Sequence, residues 1–174
     1  MSKMYEKLQK CVSIIREKTD FVPEVALILG SGLGEYARSM DVKAEVPYSE
    51  IEGFPVSTVA GHDGRFLFGY VEKVPMVIMK GRVHYYEGYD MTDVVMPIRI
   101  MGMLGAQKVI LTNAAGGGNV DVQPAVMIMI TAHISTFVPS PLRGGTLAVL
   151  AGRCPELTHG DNLEVREGIR TAAT

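Results

Sequence analysis

The stretch "EVALILGSGLG" (residues 24–34) joins a continuous apolar run to a cluster of three glycines. A short apolar run without polar alternation is typical of a strand buried on both faces, as in the middle of an α/β sheet. The glycines that follow favour a tight turn and permit close approach of the backbone to a ligand. This stretch therefore predicts a central strand whose carboxyl end opens into a candidate binding loop.

The segment before this strand is predicted to be a helix. Over residues 3–18 the apolar residues Tyr5, Leu8, Val12 and Ile15 recur at helical spacing, with charged and polar residues between them. An amphipathic helix of this kind buries one face against a neighbouring layer.

Four further runs have the composition of strands. Residues 65–71 and 74–80 are rich in β-forming residues and lie two residues apart, which predicts a hairpin. Residues 108–118 form a strand running into glycines, and residues 125–134 are strand-like. Strands alternating with helices indicate a layered α/β/α fold with a central mixed, largely parallel sheet, and no linker divides residues 1–174, so a single domain is expected.

Two later segments are predicted to be helical. Residues 92–104 should begin with Thr92 or Asp93 as the N-cap, and Pro97 should kink the helix. Residues 162–174 carry apolar positions at helical spacing and form a second candidate.

Composition excludes several classes of partner. The net charge of −2 and the isoelectric point near 6.1 provide no basic field that would attract nucleic acid or an anionic membrane. No apolar run reaches the roughly 18 residues that a membrane span requires. The charged amino-terminal segment is unlike a signal peptide, which predicts a cytoplasmic protein.

Polar residues follow three of the predicted strands, in residues 29–35, 81–89 and 112–118. In an open α/β sheet such junctions gather at the carboxyl edge, where ligands bind. The glycine loop matches neither the dinucleotide pattern, because its third glycine comes one residue early, nor the Walker A pattern. Converging N–H groups and the Ser31 hydroxyl nevertheless suit an anion. The alternative is a tight turn that binds nothing.

Arg82 and His84 are candidate anion ligands on the second junction. In an extended segment, side chains two residues apart point to the same side, and a guanidinium fork matches phosphate oxygens. The alternative is that Arg82 pairs with Glu87 while His84 packs beneath the tyrosines. No metal is expected, since the four histidines show no HExxH or comparable ligand spacing.

Four motifs together resemble one enzyme family. They are "ILGSGLG" (28–34), "STVAGHDGRFLFGYV" (57–71), "MKGRVHYYEGYD" (79–90) and "LTNAAGG" (111–117). Their order and spacing are similar to those of the low-molecular-mass, trimeric purine nucleoside phosphorylases. The resemblance runs from about residue 5 to the end. It implies a phosphorylase/hydrolase-like fold and a chain that lacks the family's C-terminal third, including its base-contacting residues.

The resemblance implies phosphorolysis of purine (deoxy)ribonucleosides to a free base and a pentose 1-phosphate, with phosphate attacking the anomeric carbon. It assigns catalysis to Arg82 and His84. The phosphate ligands it implies are Ser31, His62, Arg82, His84 and the backbone N–H of Ala114. The ribose or nucleoside contacts it implies are Tyr86, Ala114, Ala115 and Gly116. Glu87 and the glycines of the loop are expected to hold its shape.

The same resemblance implies a cytoplasmic homotrimer of purine salvage that uses inorganic phosphate as co-substrate and needs no cofactor or metal. Cys154 stands where the family has a phenylalanine that reaches the neighbouring subunit. Two alternatives stay open. Methylthioadenosine phosphorylases share the fold and glycine loops but usually lack the HxYEGY pattern, and the chain could also be a non-catalytic phosphate- or nucleoside-binding fragment.

Overall fold

The computed structural model of the 174-residue chain describes residues 3–56, 64–143 and 162–173. The chain separates into two compact units, Met1–Ala115 and Gly116–Thr174. Within the described ranges, no helix combines the length and the apolar character needed to cross a bilayer.

The first unit contains three helices and five strands among its described residues. The helices are α1 (Lys3–Lys18), α2 (Met91–Val94) and α3 (Met96–Met103). The strands are β1 (Val25–Ile28), β2 (Asp41–Pro47), β3 (Arg65–Val71), β4 (Val74–Lys80) and β5 (Lys108–Leu111). Short 3-10 turns cover Gly34–Ser39, Tyr48–Glu50 and Tyr85–Glu87.

The five strands form one sheet in the order β2-β3-β4-β1-β5. β1 runs parallel to β4 and β5, with Ala26 level with Val77 on one side and Val109 on the other. The β2–β3 and β3–β4 pairs are antiparallel. All four residues of β1 are buried. The structure confirms an α/β fold with a mixed sheet, and it confirms that "EVALILG" supplies an inner strand.

The predicted hairpin is also confirmed. β3 and β4 pair along their whole length, from Arg65 opposite Lys80 to Val71 opposite Val74. Glu72, in the two-residue turn, adopts a φ of 53°. A tight two-residue connection favours positive φ, so the hairpin closes without the Asn-Gly pair that usually marks such a turn.

Both faces of β1 are used for packing. Val25, Leu27 and Leu29 join a core cluster with residues of β3, β4 and the 3-10 turn after the glycine loop. Since successive strand side chains alternate, Ala26 faces the other way, where it borders α3. The predicted helix over residues 3–18 is confirmed as α1, and its apolar face is fully buried at Leu8 and Ile15.

The region predicted as one helix over residues 92–104 starts one residue earlier and is broken. Asp90, rather than Thr92 or Asp93, is the N-cap, because the chain leaves the extended conformation there. The helix is interrupted at Val95. Pro97 has no N–H to donate to the Asp93 carbonyl, which explains the break close to the predicted kink.

Two strand predictions beyond residue 107 need correction. The strand over 108–118 stops at Leu111, and residues 112–118 continue as irregular backbone. Residues 125–134 form no strand, and Met127 is 92% exposed. A strand needs a neighbour to complete its hydrogen bonds, and the described part of the second unit, 116–143 and 162–173, contains no strand.

The second unit contains the predicted C-terminal helix. This helix, α4, spans Leu163–Ala172. The Asn162 side chain caps it by accepting a hydrogen bond from the Val165 N–H at 2.9 Å. The predicted helix over residues 162–174 is thus confirmed within the described residues.

A buried tyrosine ties the sheet to the loop that follows β4. Tyr48 packs against Phe54 and Phe66, with ring centroids 4.6 and 5.0 Å apart. Its hydroxyl donates a hydrogen bond to the Gly81 carbonyl at 2.9 Å. Burial raises the pKa of the Tyr48 hydroxyl well above its usual value. The start of loop 81–90 is therefore held from within the core.

Replacing Tyr48 with Phe should lower the free energy of unfolding by about 1 kcal/mol at pH 8, because the Gly81 carbonyl loses its partner. Because burial raises the pKa of Tyr48 in the folded state, its phenol stays protonated near pH 10. The same tyrosine in the unfolded chain begins to ionise at that pH. The stability that depends on Tyr48 protonation is therefore full below pH 10 and declines above it. Urea unfolding at pH 8 and pH 10.5 should show the difference between wild type and Y48F shrinking at the higher pH. A constant difference would contradict this account.

Candidate functional site

One cavity lies where β1 and β4 end. Its volume is about 160 Å³. It is lined by Leu29, Gly30, Ser31, Gly32, Gly34, Lys80, Gly81, Arg82 and His84. A water molecule occupies about 30 Å³ of liquid, so the cavity has room for a small tetrahedral oxyanion. Among the described residues, its lining includes two cationic side chains and no carboxylate.

The glycine loop after β1 forms a tight turn. The Leu33 N–H donates to the Gly30 carbonyl at 3.2 Å, and Gly32 has a φ of 84°. A left-handed conformation favours glycine at this position. The turn places the exposed Ser31 at the cavity lining, with its hydroxyl free to act as donor or acceptor.

Thr112 connects this turn to the end of β5. Its hydroxyl accepts a hydrogen bond from the Gly30 N–H at 2.9 Å and donates one to the Ile28 carbonyl at 3.0 Å. The segment approaches so closely that a Cβ on Gly30 would lie 2.7 Å from the Asn113 Cα. The carboxyl ends of β1 and β5 are therefore held together by backbone proximity and one threonine.

Replacing Thr112 with Val should lower the free energy of unfolding by about 1–2 kcal/mol, because the buried Gly30 N–H loses its acceptor. Thr112→Ser is the matched control, since it keeps the hydroxyl, and it should stay within about 0.5 kcal/mol of wild type. Urea unfolding monitored by circular dichroism gives both values. Destabilisation by Thr112→Ser as large as that by Thr112→Val would contradict this account, because serine retains the hydroxyl.

Loop 81–90 is shaped by Glu87. The Glu87 side chain, 3% exposed, accepts hydrogen bonds from the His84 N–H at 2.8 Å and contacts His84 Nδ1 at 3.0 Å. Gly88 ends the short turn with a φ of 92°. The expectation that Glu87 and the glycines hold the loop is confirmed. The alternative pairing of Arg82 with Glu87 is not found, because Glu87 binds His84 and the described contact of Arg82 is with His84.

Arg82 and His84 face the same side of an extended segment. Val83 between them is buried, and His84 has extended backbone angles. Arg82 Nε lies 3.4 Å from His84 Nε2, which is long for a hydrogen bond. The Glu87 carboxylate favours a proton on His84 Nδ1, so Nε2 can accept this weak contact. An anion in the cavity could replace it with a shorter, charge-assisted bond.

Tyr86 lies beside the cavity without lining it. Its ring stacks on that of His84, with centroids 4.7 Å apart and planes 20° apart, and the residue is 77% exposed. An exposed aromatic face next to an anion site has the form expected of a sugar contact.

The structure brings together Ser31, Arg82 and His84, three of the five predicted phosphate ligands. Ala114 lies two residues after Thr112 and is exposed, as is Ala115, the last residue of the first unit. Gly116 begins the second unit. His62 and Cys154 lie outside the described residues. The roles assigned to all of these residues stay predictions.

The sequence did not predict the roles of two residues, one that lines the cavity and one that holds its glycine loop in place. Lys80, at the end of β4, lines the cavity, but within the motif of residues 79–90 it resembled an ordinary exposed strand end. Thr112 directly follows β5. The only sign of its role in the sequence was a hydroxyl residue at the carboxyl end of a predicted strand. Among residues 3–56, 64–143 and 162–173, no group of three or more His, Cys, Asp and Glu side chains is placed to hold a metal ion.

Comparisons with known proteins agree on one family. The model of the phosphorylase superfamily matches residues 24–161. Purine nucleoside phosphorylase 1 of Bacillus subtilis is 34% identical over 186 residues, which covers 98% of this chain and 69% of the relative. Purine nucleoside phosphorylase 1 of Geobacillus stearothermophilus is 39% identical over 160 residues, which covers 92% of this chain. The chain spans 58% of the length of that second relative.

Solved structures agree with the sequence relatives. A purine nucleoside phosphorylase in complex with ribose 1-phosphate superposes with a TM-score of 0.88 at 34% identity, covering 97% of this chain and 63% of that one. The Schistosoma mansoni enzyme in complex with inosine gives 0.84 at 32% identity, covering 97% and 60%. Fold, motif order and sequence identity therefore agree that this chain belongs to the phosphorylase superfamily and, within it, to the purine nucleoside phosphorylases.

Proposed function

We propose that this chain acts in the phosphorolysis of purine (deoxy)ribonucleosides, binding inorganic phosphate through Ser31, Arg82 and His84. The observation that carries the proposal is the cavity at the ends of β1 and β4, where the described lining residues place two cations and a hydroxyl beside a glycine loop and include no carboxylate. A relative crystallised with ribose 1-phosphate supports the same assignment.

The chemistry suits such a cavity. An oxygen of phosphate bonds to the anomeric carbon while the bond from that carbon to the purine nitrogen breaks, and the base leaves with the electron pair and takes up a proton. The sugar carries positive charge in the transition state, so a phosphate held below it stabilises that charge and is already positioned to attack. Arg82 and the backbone N–H groups would orient the anion. His84, oriented by Glu87, would add a single donor when it is protonated.

The remaining parts of the proposal rest on family resemblance. They are phosphate contacts from His62 and the Ala114 N–H, and ribose or nucleoside contacts from Tyr86, Ala114, Ala115 and Gly116. Phosphate would serve as co-substrate without a cofactor. A cytoplasmic homotrimer working in purine salvage completes the proposal.

The test is phosphate-dependent cleavage of inosine by the 174-residue chain. Hypoxanthine release is followed by absorbance, ribose 1-phosphate is measured in parallel, and phosphate binding is measured separately by calorimetry. We expect equal amounts of base and sugar phosphate, and no base without phosphate. A 5′-methylthioadenosine arm tests the related phosphorylase activity, and faster turnover of that substrate would favour it over inosine.

Two results would contradict the proposal. Hypoxanthine release that does not require phosphate would indicate hydrolysis. Phosphate binding without any base release would reduce the chain to a phosphate-binding domain, which is the non-catalytic alternative.

A further inference from the structure

Lys80 lines the candidate phosphate cavity at the end of β4. Its side chain runs toward the glycine loop, since a Cβ built on Gly34 would lie 3.8 Å from Lys80 Cε. Lys80 and Arg82 both line this cavity. The lysine therefore adds charge where the glycine loop offers backbone N–H groups.

No carboxylate in the described part of the chain neutralises Lys80. Among residues 3–56, 64–143 and 162–173, the ion pairs of the structure engage other lysines and arginines, and none includes Lys80. The part of the cavity lining that the structure describes also holds no acidic side chain. Relative to the described residues, Lys80 gains a neutralising partner when an anion binds.

The sheet gains nothing from this charge. Lys80 lies directly opposite Arg65 in the β3–β4 ladder, and like charges directly opposite each other are unfavourable. Arg65 is paired with Glu45 at 2.9 Å. A lysine at position 80 is therefore better explained by a ligand than by the stability of the hairpin.

We propose that Lys80 is a second cationic phosphate ligand of this cavity, and that Lys80 and Arg82 together balance the two negative charges of hydrogen phosphate. Arg82 supplies a planar fork, whereas the lysine supplies a mobile point charge that follows the anion. This inference rests on the proposed phosphate site.

The test compares Lys80→Gln with a matched control, Lys73→Gln. Lys73 precedes the other end of β4, about 23 Å away at the rise of an extended strand. Both substitutions remove one positive charge from an exposed position of the hairpin. Phosphate binding is measured by calorimetry on the 174-residue chain. Sulfate, which is doubly charged, and nitrate, which is singly charged, serve as further probes.

We expect Lys80→Gln to weaken phosphate and sulfate binding about tenfold, a moderate value because the lysine is partly solvated. Nitrate binding should change less, Lys73→Gln should stay within about twofold of wild type, and Lys80→Arg should retain most of the affinity. The thermal midpoint of Lys80→Gln should not fall, because Lys80 forms no ion pair among the described residues and stands opposite another cation in the β3–β4 ladder.

Equal effects of Lys80→Gln and Lys73→Gln would overturn the inference, and so would a lack of phosphate binding by the unaltered chain. The test of Lys80 can fail while the proposed function stands, and the reverse is also possible. Inosine cleavage with an unchanged phosphate requirement in Lys80→Gln would refute only the role of Lys80. Lysine-dependent phosphate binding without base release would refute only the phosphorolysis.

Discussion

Arg82→Ala should weaken phosphate binding about 100-fold while leaving nucleoside binding within about twofold. A guanidinium binds an oxyanion through two parallel hydrogen bonds, and each charge-assisted bond contributes about 1.5 kcal/mol or more. Losing both amounts to about 3 kcal/mol, which is about two orders of magnitude in affinity. Phosphate and inosine titrations by calorimetry give the two values.

Arg82→Lys is the informative control. It keeps the charge but replaces the planar fork with a single ammonium group, so it should recover only part of the lost affinity. The fold should be preserved in both variants, because Arg82 is half-buried and its described contact is the weak one to His84. Equal losses for phosphate and nucleoside would contradict the assignment of Arg82 to the anion.

The local parts of this site were predictable from the sequence. β1 and the glycine loop form one continuous signal, because a buried strand and its turn are specified by adjacent residues. The spacing of Arg82 and His84 was enough to predict their common direction, since the buried Val83 holds the segment extended. What these predictions share is that each depends on residues close together in the chain.

The missed features depend on strand register and on distant pairing. Lys80 reaches the cavity because β4 lies next to β1 and ends level with the glycine loop. The pairing register of two strands cannot be predicted from the spacing of residues along the chain. Thr112 binds Gly30 across 82 residues of chain. The strand expected over residues 125–134 failed for a similar reason, because an apolar run becomes a strand only where a partner strand accepts its hydrogen bonds.

Two chain segments approach each other closely at Gly30, and we therefore expect a substitution there to have a large effect on stability and phosphate binding. Gly30→Ala should lower the free energy of unfolding by about 3 kcal/mol and weaken phosphate binding about 100-fold. The added methyl group would lie 2.7 Å from both the Asn113 Cα and the Thr112 carbonyl oxygen. These are backbone atoms, so the clash is relieved only by moving the glycine loop away from the end of β5. Urea unfolding and phosphate calorimetry measure the two losses.

Gly102→Ala is the matched control for this substitution. Gly102 lies in α3, and no atom of the described residues lies within 4 Å of the methyl group that would be added there. Alanine in a helix is favoured over glycine by about 0.5–1 kcal/mol, so this variant should be slightly more stable than wild type and should bind phosphate normally. If Gly30→Ala instead lost stability but retained phosphate affinity, the contact between the glycine loop and Thr112 would serve the fold alone. Loss of both properties together would show that the spacing of these two segments positions the anion site.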